Sequence, residues 1–285
     1  MNAPKEPVNP EIQPLHPLDV ALRMTPQHDG SVSAKAPQAY WNMVGPYGGI
    51  TAAQMLQTVM QHPALLGEPV SMTVNFAGPV AEGDLRLEAV PVRTNRSTQH
   101  WSVQMGQRNA EGVWEVCTTA TVITAVRRDT FSADDVAMPA MPEPLSCERL
   151  NTSGAMEWLQ RYDMRAVQGE IPQVWDDSEH ESLTQLWVRD DPPRPLDFAA
   201  LAALCDVFFP RIWLRRARRV PAGTVSITVY FHADSAKLAE QGDHHLIAQA
   251  TGQAFRNGYF DHSAQLWGHD GSLLATSHQI VYYKE

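Results

Sequence analysis

The chain has 285 residues, of which 44% are hydrophobic and 19% charged, and this is the composition of an ordinary globular protein. Such a length suits one large domain or two of about 100–150 residues each. The formal net charge of −10 argues against a general attraction to nucleic acid or to anionic lipid, so we expect no nucleic-acid partner.

The N-terminal segment, residues 1–16, is rich in proline and contains no apolar core of signal-peptide length. No later stretch is long and apolar enough to span a bilayer, which predicts no membrane insertion. The three cysteines are odd in number and lack metal-knuckle spacing, which disfavours a disulfide framework and fits a reducing compartment. We therefore predict a flexible N-terminal arm on a soluble cytoplasmic protein.

An internal repeat organises the rest of the chain. Residues 71–76 read SMTVNF, and residues 226–231, which lie 155 positions later, read SITVYF. Both segments alternate β-branched or aromatic residues with polar ones, as strands do. An apolar, Ala-rich segment precedes each of them and predicts helices near residues 48–60 and 196–209.

Each copy also ends in the same way, with a glycine turn followed by a final strand. Aligning Gly112 with Gly271 gives an offset of 159, a drift that differences in loop length would produce. The chain therefore reads as a first copy over residues 17–127 and a second copy over residues 156–285. The intervening residues 128–155 are rich in Pro, Ser and acidic residues and are predicted to form a linker.

Several short motifs carry a family resemblance. They are Tyr47-Gly48-Gly49 followed by Ala53-Gln54 in the first copy, and Cys205-Asp206, Thr224 to His232 and Gly271 to Gln279 in the second. In order and spacing, over roughly residues 17–285, they resemble the double-hotdog acyl-CoA thioesterases, close to the acyl-CoA thioesterase II family. The resemblance implies an α+β double hotdog, in which each copy wraps an antiparallel sheet around a central helix. It also implies an acyl-CoA substrate, a role in lipid metabolism, no cofactor and a homo-oligomer.

The resemblance further implies a catalytic site made of Asp206, Thr224 and Gln279. Thioester hydrolysis needs a positioned water, a group that takes its proton and donors for the developing oxyanion. Asp206 follows an apolar run, where desolvation would raise its pKa and suit it to be the base. The Thr224 hydroxyl and the Gln279 amide can orient the water. Gly48, Gly49 and Gln54 are the expected substrate-binding neighbours.

The two copies differ at these positions. The repeat offsets pair Thr224 with Pro69, Gln279 with Ala120 and Asp206 with Gln54. The first copy therefore lacks a base, a hydroxyl and an amide there, and we predict one catalytic site per chain. Two interpretations of Gln54 stay open, since it either reaches a shared cavity or is a buried amide bound to the backbone.

Other chemistries find little support. The chain has no Gly-x-Ser-x-Gly nucleophile motif, no HExxH metal motif and no Asp followed five residues later by His, the spacing of hotdog hydratases. The basic run Arg211–Arg219 either binds the phosphates of coenzyme A or forms a solvated face that offsets nearby acids. The remaining alternative is a non-catalytic acyl-CoA or acyl-carrier binding protein on the same fold.

Overall fold

The computed structural model describes residues 15–285, so the predicted arm over residues 1–16 lies outside it except for its last two residues. The first copy contains helices α1 (Pro17–Ala21) and α2 (Gly48–Met60), and strands β1 (Thr25–Pro26), β2 (Val32–Lys35), β3 (Glu68–Phe76), β4 (Asp84–Thr94), β5 (Thr98–Arg108) and β6 (Trp114–Ala125). No helix in the described part of the chain is long and apolar enough to cross a bilayer.

The second copy repeats this arrangement with some additions. It contains helices α3 (Phe198–Leu204), α4 (Arg211–Arg216) and α5 (Ser235–Gln241), and strands β7 (Tyr162–Gln168), β8 (Thr184–Asp190), β9 (Ala222–Phe231), β10 (Leu246–Thr251), β11 (Phe255–Arg256), β12 (Tyr259–Trp267) and β13 (Leu273–Tyr283). The segment predicted as a linker has little regular structure and packs along the second copy. There the Trp187 indole donates to the carbonyl of Pro142 at 2.8 Å.

One antiparallel sheet runs through the whole molecule. Its strand order is β1-β2-β4-β5-β6-β3-β9-β13-β12-β10-β8-β7, with β11 paired to β12 off this path. From the centre outward, β3, β6, β5 and β4 in one half mirror β9, β13, β12 and β10 in the other. The apolar helices α2 and α3 are buried in the core. The fold is thus a double hotdog, as the sequence predicted.

The two copies join at a local twofold axis between β3 and β9. Thr73 lies opposite Thr228, and their hydroxyl oxygens are 2.9 Å apart. On either side, Met72 faces Val229 and Val74 faces Ile227. Thr73 and Thr228 are the residues that the repeat offset of 155 made equivalent, so each pairs with its own counterpart, as a twofold axis requires.

The second central helix is shorter than predicted. Helix α2 has the predicted bounds, but α3 ends at Leu204 and not near residue 209, so the predicted C-terminal end of this helix was wrong. Val207, Phe208 and Phe209, which follow Asp206, are β-branched or aromatic, and the next residue is Pro210, which disfavours helical backbone in the residue before it. Asp206 consequently lies in a turn after the helix and not on its surface.

A close contact between α2 and α3 fixes the position of that turn. A Cβ atom on Gly49 would lie 2.5 Å from the carbonyl oxygen of Ala203 and 2.3 Å from the hydroxyl of Tyr47. The Tyr47 hydroxyl also donates to the Ala203 carbonyl. Only glycine permits this approach, and the approach brings the end of α3 against the beginning of α2.

We expect Gly49→Ala to destabilise the protein by about 1–3 kcal/mol, because the added methyl group must separate the two helices. Gly78→Ala is the matched control, since its Cβ atom would meet nothing nearer than 3.9 Å. Urea unfolding of both variants measures the difference. Equal stability of Gly49→Ala and the wild type would contradict the close packing described here.

Candidate active site

A cavity of about 660 Å³ is lined by residues of both copies. Gly48 and Phe76 contribute from the first copy, and Asp206, Thr224 and Gln279 contribute from the second. Much of the remaining wall is apolar and aromatic, and includes Phe208, Phe209, Trp213, Phe260 and Val281. An apolar cavity with a few convergent polar groups is the usual form of a small-molecule site.

The three predicted catalytic side chains form one hydrogen-bonded set. The Gln279 amide nitrogen donates to Asp206 Oδ1 at 2.8 Å, and the Thr224 hydroxyl donates to Gln279 Oε1 at 3.1 Å. They come from the turn after α3, from β13 and from β9. The amide therefore bridges the carboxylate and the hydroxyl and fixes the orientation of both ends.

A β-bulge turns Thr224 towards Gln279. In the ladder between β9 and β13, Ser226 pairs with Ile280 but Thr224 pairs with Val281, which leaves Val225 without a partner. Strict alternation from the inward-facing Ile227 would point Thr224 outward. The extra residue reverses that alternation, as bulges do, and places the hydroxyl on the inner face.

Burial and hydrogen bonding act in opposite directions on the Asp206 carboxyl. Burial raises its pKa to about 7, while hydrogen bonds from Gln279 and from the Gly49 backbone lower it. The carboxylate lies at the N-terminus of α2, where the helix dipole favours negative charge. A Cβ atom on Gly48 would be only 2.7 Å from Asp206 Oδ2, so the glycine pair makes room for the carboxylate.

Of the three predicted substrate-binding residues, one lines the cavity and two are buried away from it. Gly48 lines the cavity, whereas Gly49 is buried between the helices. Gln54 is only 1% exposed, and its amide donates to the carbonyls of Ala21 at 2.8 Å and Lys35 at 3.1 Å. We therefore withdraw the substrate contact expected for Gln54, because its donors are already bound to the backbone.

The strand registers identify the counterparts in the first copy. Gln279 pairs with Ile227, and Val122 pairs with Met72, which is the equivalent of Ile227. The counterpart of Gln279 is thus Val122, and the predicted Ala120 was wrong. The last hairpin of the first copy is longer by two residue pairs, Gln107 with Glu115 and Arg108 with Trp114, so aligning the two glycine turns shifts the counterpart by two residues.

The first copy also contains the β-bulge but lacks the hydroxyl and the amide. In its ladder, Ser71 pairs with Ile123 and Pro69 pairs with Thr124, so the residue between them is bulged as Val225 is. The register makes Pro69 the counterpart of Thr224, as the repeat offset predicted. A proline and a valine therefore occupy the places of the hydroxyl and the amide.

The basic run Arg211–Arg219 is largely engaged within the protein. Arg211 is buried, and its guanidinium donates to the carbonyls of Phe209 and Ser182 and to the Thr184 hydroxyl. Three further arginines of the run form ion pairs, which join Arg215 to Glu179, Arg216 to Glu285 and Arg218 to Asp177. This pattern matches the interpretation of the run as a face that offsets nearby acids.

The sequence analysis missed one residue of the cavity wall, His262 on β12. It is 3% exposed and lies opposite Gln279 in the ladder. No motif marks it in the sequence. Only the repeat comparison could have found it, because its counterpart in the first copy, by register, is Trp101.

Comparisons with known proteins identify the family. Residues 37–125 match the family model of the acyl-CoA thioesterase N-terminal domain, and residues 133–283 match that of the acyl-CoA thioesterase C-terminal domain. No functionally curated protein matches the chain.

Solved structures agree with this assignment. A conserved hot dog fold protein of unknown function from Alicyclobacillus acidocaldarius is 43% identical, with 95% of this chain and 99% of that one covered and a TM-score of 0.88. The acyl-CoA thioesterase II TesB2 of Mycobacterium marinum is 17% identical, with 94% and 98% covered and a TM-score of 0.74. The tesB protein of Mycobacterium avium subs paratuberculosis is 17% identical, with 94% and 98% covered and a TM-score of 0.73. The two matched domains cover most of the sequence, and the chain belongs to the acyl-CoA thioesterase II-like family.

Proposed function

We propose that this chain hydrolyses acyl-CoA thioesters to the free acid and coenzyme A, with Asp206, Thr224 and Gln279 as its catalytic residues. One observation carries the proposal: a buried carboxylate with a pKa near neutrality is hydrogen-bonded, through an amide, to a hydroxyl at the wall of an apolar cavity. A carboxyl group with such a pKa is suited to general base catalysis near neutral pH.

In the proposed mechanism, Asp206 removes a proton from a water as its oxygen attacks the thioester carbonyl carbon. Gln279 and Thr224 hold that water and the carboxylate in fixed positions relative to each other. The N-terminus of α2 stabilises negative charge nearby. The tetrahedral intermediate then expels the thiolate of coenzyme A, which takes the proton from Asp206. The carboxylate is regenerated, and no acyl group is transferred to the protein.

The alternative is a non-catalytic protein that binds acyl-CoA or an acyl carrier. Such a protein has no need of a carboxylate, an amide and a hydroxyl that are hydrogen-bonded to one another at the wall of the cavity. The three-residue set therefore favours the hydrolase. We further propose a cytoplasmic location, because all three cysteines are free, and the expected homo-oligomer stays a prediction.

Asp206→Asn should lower kcat by about 10²-fold or more, because the shape of the side chain is kept but the base is lost. Binding of acyl-CoA should be largely unchanged. Thiol release from a panel of acyl-CoA thioesters measures kcat, and calorimetry measures binding. The matched control is Asp197→Asn, which changes the aspartate that caps the N-terminus of α3 and should leave kcat within about twofold.

Thr224→Ala and Gln279→Ala should each cost less than Asp206→Asn, because a water can partly replace either group. The three effects should not add in multiple variants, since the residues act as one unit. Full activity of Asp206→Asn would overturn the site and favour the binding protein. Additive losses would show that the three groups act separately.

The activity should depend on pH in a direction set by Asp206. A base works only when it is ionised, and burial raises the pKa of this carboxyl to about 7. We therefore expect kcat to rise with pH through about 7 and to fall roughly tenfold per pH unit well below that value. The residual activity of Asp206→Asn should lack this inflection. A wild-type profile that stays flat between pH 5 and about 8 would contradict the assignment of the base.

A further inference from the structure

His262 adds a polar side chain to the cavity wall from a third neighbouring strand. Thr224, Gln279 and His262 lie on β9, β13 and β12, which are neighbours in the sheet. Gln279 and His262 are directly opposite each other in an antiparallel pair, so their side chains share the inner face with Cβ atoms about 4.5–5.5 Å apart. His262 therefore lies close to the place where Gln279 holds Asp206.

The imidazole of His262 is buried and incompletely hydrogen-bonded. Its Nε2 atom has no partner within the described chain. A buried polar atom without a partner costs about 1–3 kcal/mol, and this one is kept beside a cavity. The aromatic ring of Phe208 packs edge-on to the imidazole, with centroids 5.3 Å apart.

The protonation state of His262 follows from its surroundings. Burial, and to a lesser degree the charges of Arg211 and His278, lower its pKa well below the usual value. The imidazole is therefore neutral near pH 7 and offers one nitrogen as a donor and the other as an acceptor. It can hydrogen-bond an uncharged oxygen of either kind.

The corresponding position in the first copy contains a different residue. Trp101 pairs with Val122 there, as His262 pairs with Gln279 in the second copy. Trp101 is buried, and its indole donates to the Thr124 hydroxyl at 3.3 Å. The fold thus accepts a fully bonded aromatic residue at this place, and the polar His–Gln pair is confined to the copy that has the Asp206 site.

We propose that His262 is a specificity-determining residue that contacts the acyl group of the substrate, an inference that rests on the proposed function. Its imidazole hydrogen-bonds an oxygen substituent, a hydroxyl or an oxo group, on one of the carbons next to the thioester. The distance from Gln279 sets that position along the acyl chain. Phe208, Phe260 and Trp213 provide apolar wall for the rest of the acyl group.

We expect a preference for acyl groups that carry such an oxygen substituent, because the substituent supplies a hydrogen-bond partner for the imidazole. An unsubstituted acyl chain offers the imidazole no hydrogen-bond partner. A hydroxyl or oxo group at the same place forms the missing hydrogen bond, and a site built around such a bond discriminates against analogues that lack it. The bond should be worth a preference of about three- to tenfold in kcat/KM.

The test compares butanoyl-CoA with 3-hydroxybutanoyl-CoA, each enantiomer separately, and uses the ratio of their kcat/KM values. The wild type should prefer one hydroxylated enantiomer. His262→Phe should abolish that preference, so that the ratio of the two kcat/KM values approaches one. His262→Gln, which keeps a donor and an acceptor, should retain most of the preference. His100→Phe, an exposed histidine on β5, is the matched control and should behave as the wild type.

A purely structural histidine would give a different result. His262→Phe should unfold at the same or a higher temperature than the wild type, because the unbonded polar atom is removed, and His262→Leu replaces it should the phenylalanine variant fail to fold. An unchanged ratio in His262→Phe, no preference in the wild type, or an equal loss on both thioesters would each overturn the inference and leave the proposed function intact. If no thioester of the acyl-CoA panel is hydrolysed, the proposed function fails, and the ratio of the dissociation constants of the two four-carbon thioesters then decides the role of His262.

Discussion

The contact between the Asp206 carboxylate and the N-terminus of α2 determines where the site can form. The carboxylate belongs to the second copy, and the helix that receives it belongs to the first. Gly49 permits α2 to approach α3 closely enough for this contact, and Gly48 leaves space for the carboxylate oxygen. Neither copy could form the site alone, because one would lack the acid and the other the helix terminus that stabilises its charge.

The fold is symmetric, but its chemistry is confined to one copy. The central strands meet at Thr73 and Thr228, and each copy has a bulge at the same place in its central strand. In the first copy the positions around this bulge are Pro69 and Val122, which cannot orient a water. The same β-bulge therefore borders a polar site in the second copy and an apolar wall in the first.

At two positions on the cavity wall, the second copy accepts energetic costs. A carboxyl group whose pKa is raised to about 7 and an imidazole with an unbonded nitrogen both oppose folding at neutral pH. At the position of His262, the first copy has Trp101, which bonds to Thr124. Local conflicts of this kind tend to concentrate at functional sites, and here both lie on the wall of one cavity.

The repeat, the first central helix and the proximity of Asp206, Thr224 and Gln279 could be predicted from the sequence, because strand alternation and the family motifs are local patterns. The end of α3 could not, since the turn at Asp206 depends on packing against another helix. The bulge at Val225 breaks the strand alternation on which the sequence prediction relies. The last hairpin of the first copy is longer by two residue pairs, and this moved the counterpart of Gln279 from Ala120 to Val122. Two interpretations of Gln54 stayed open and His262 was not identified, because the hydrogen-bond partners of a buried side chain are distant in sequence.

The central claim is that the two copies together form one acyl-CoA site per chain. Calorimetric titration with a non-hydrolysable thioether analogue of acyl-CoA tests it most directly. The account predicts a stoichiometry of one molecule per chain, and the same stoichiometry for Asp206→Asn, which keeps the cavity. Two molecules per chain would contradict the asymmetry of the copies, and no binding at all would contradict the assignment of the cavity to acyl-CoA.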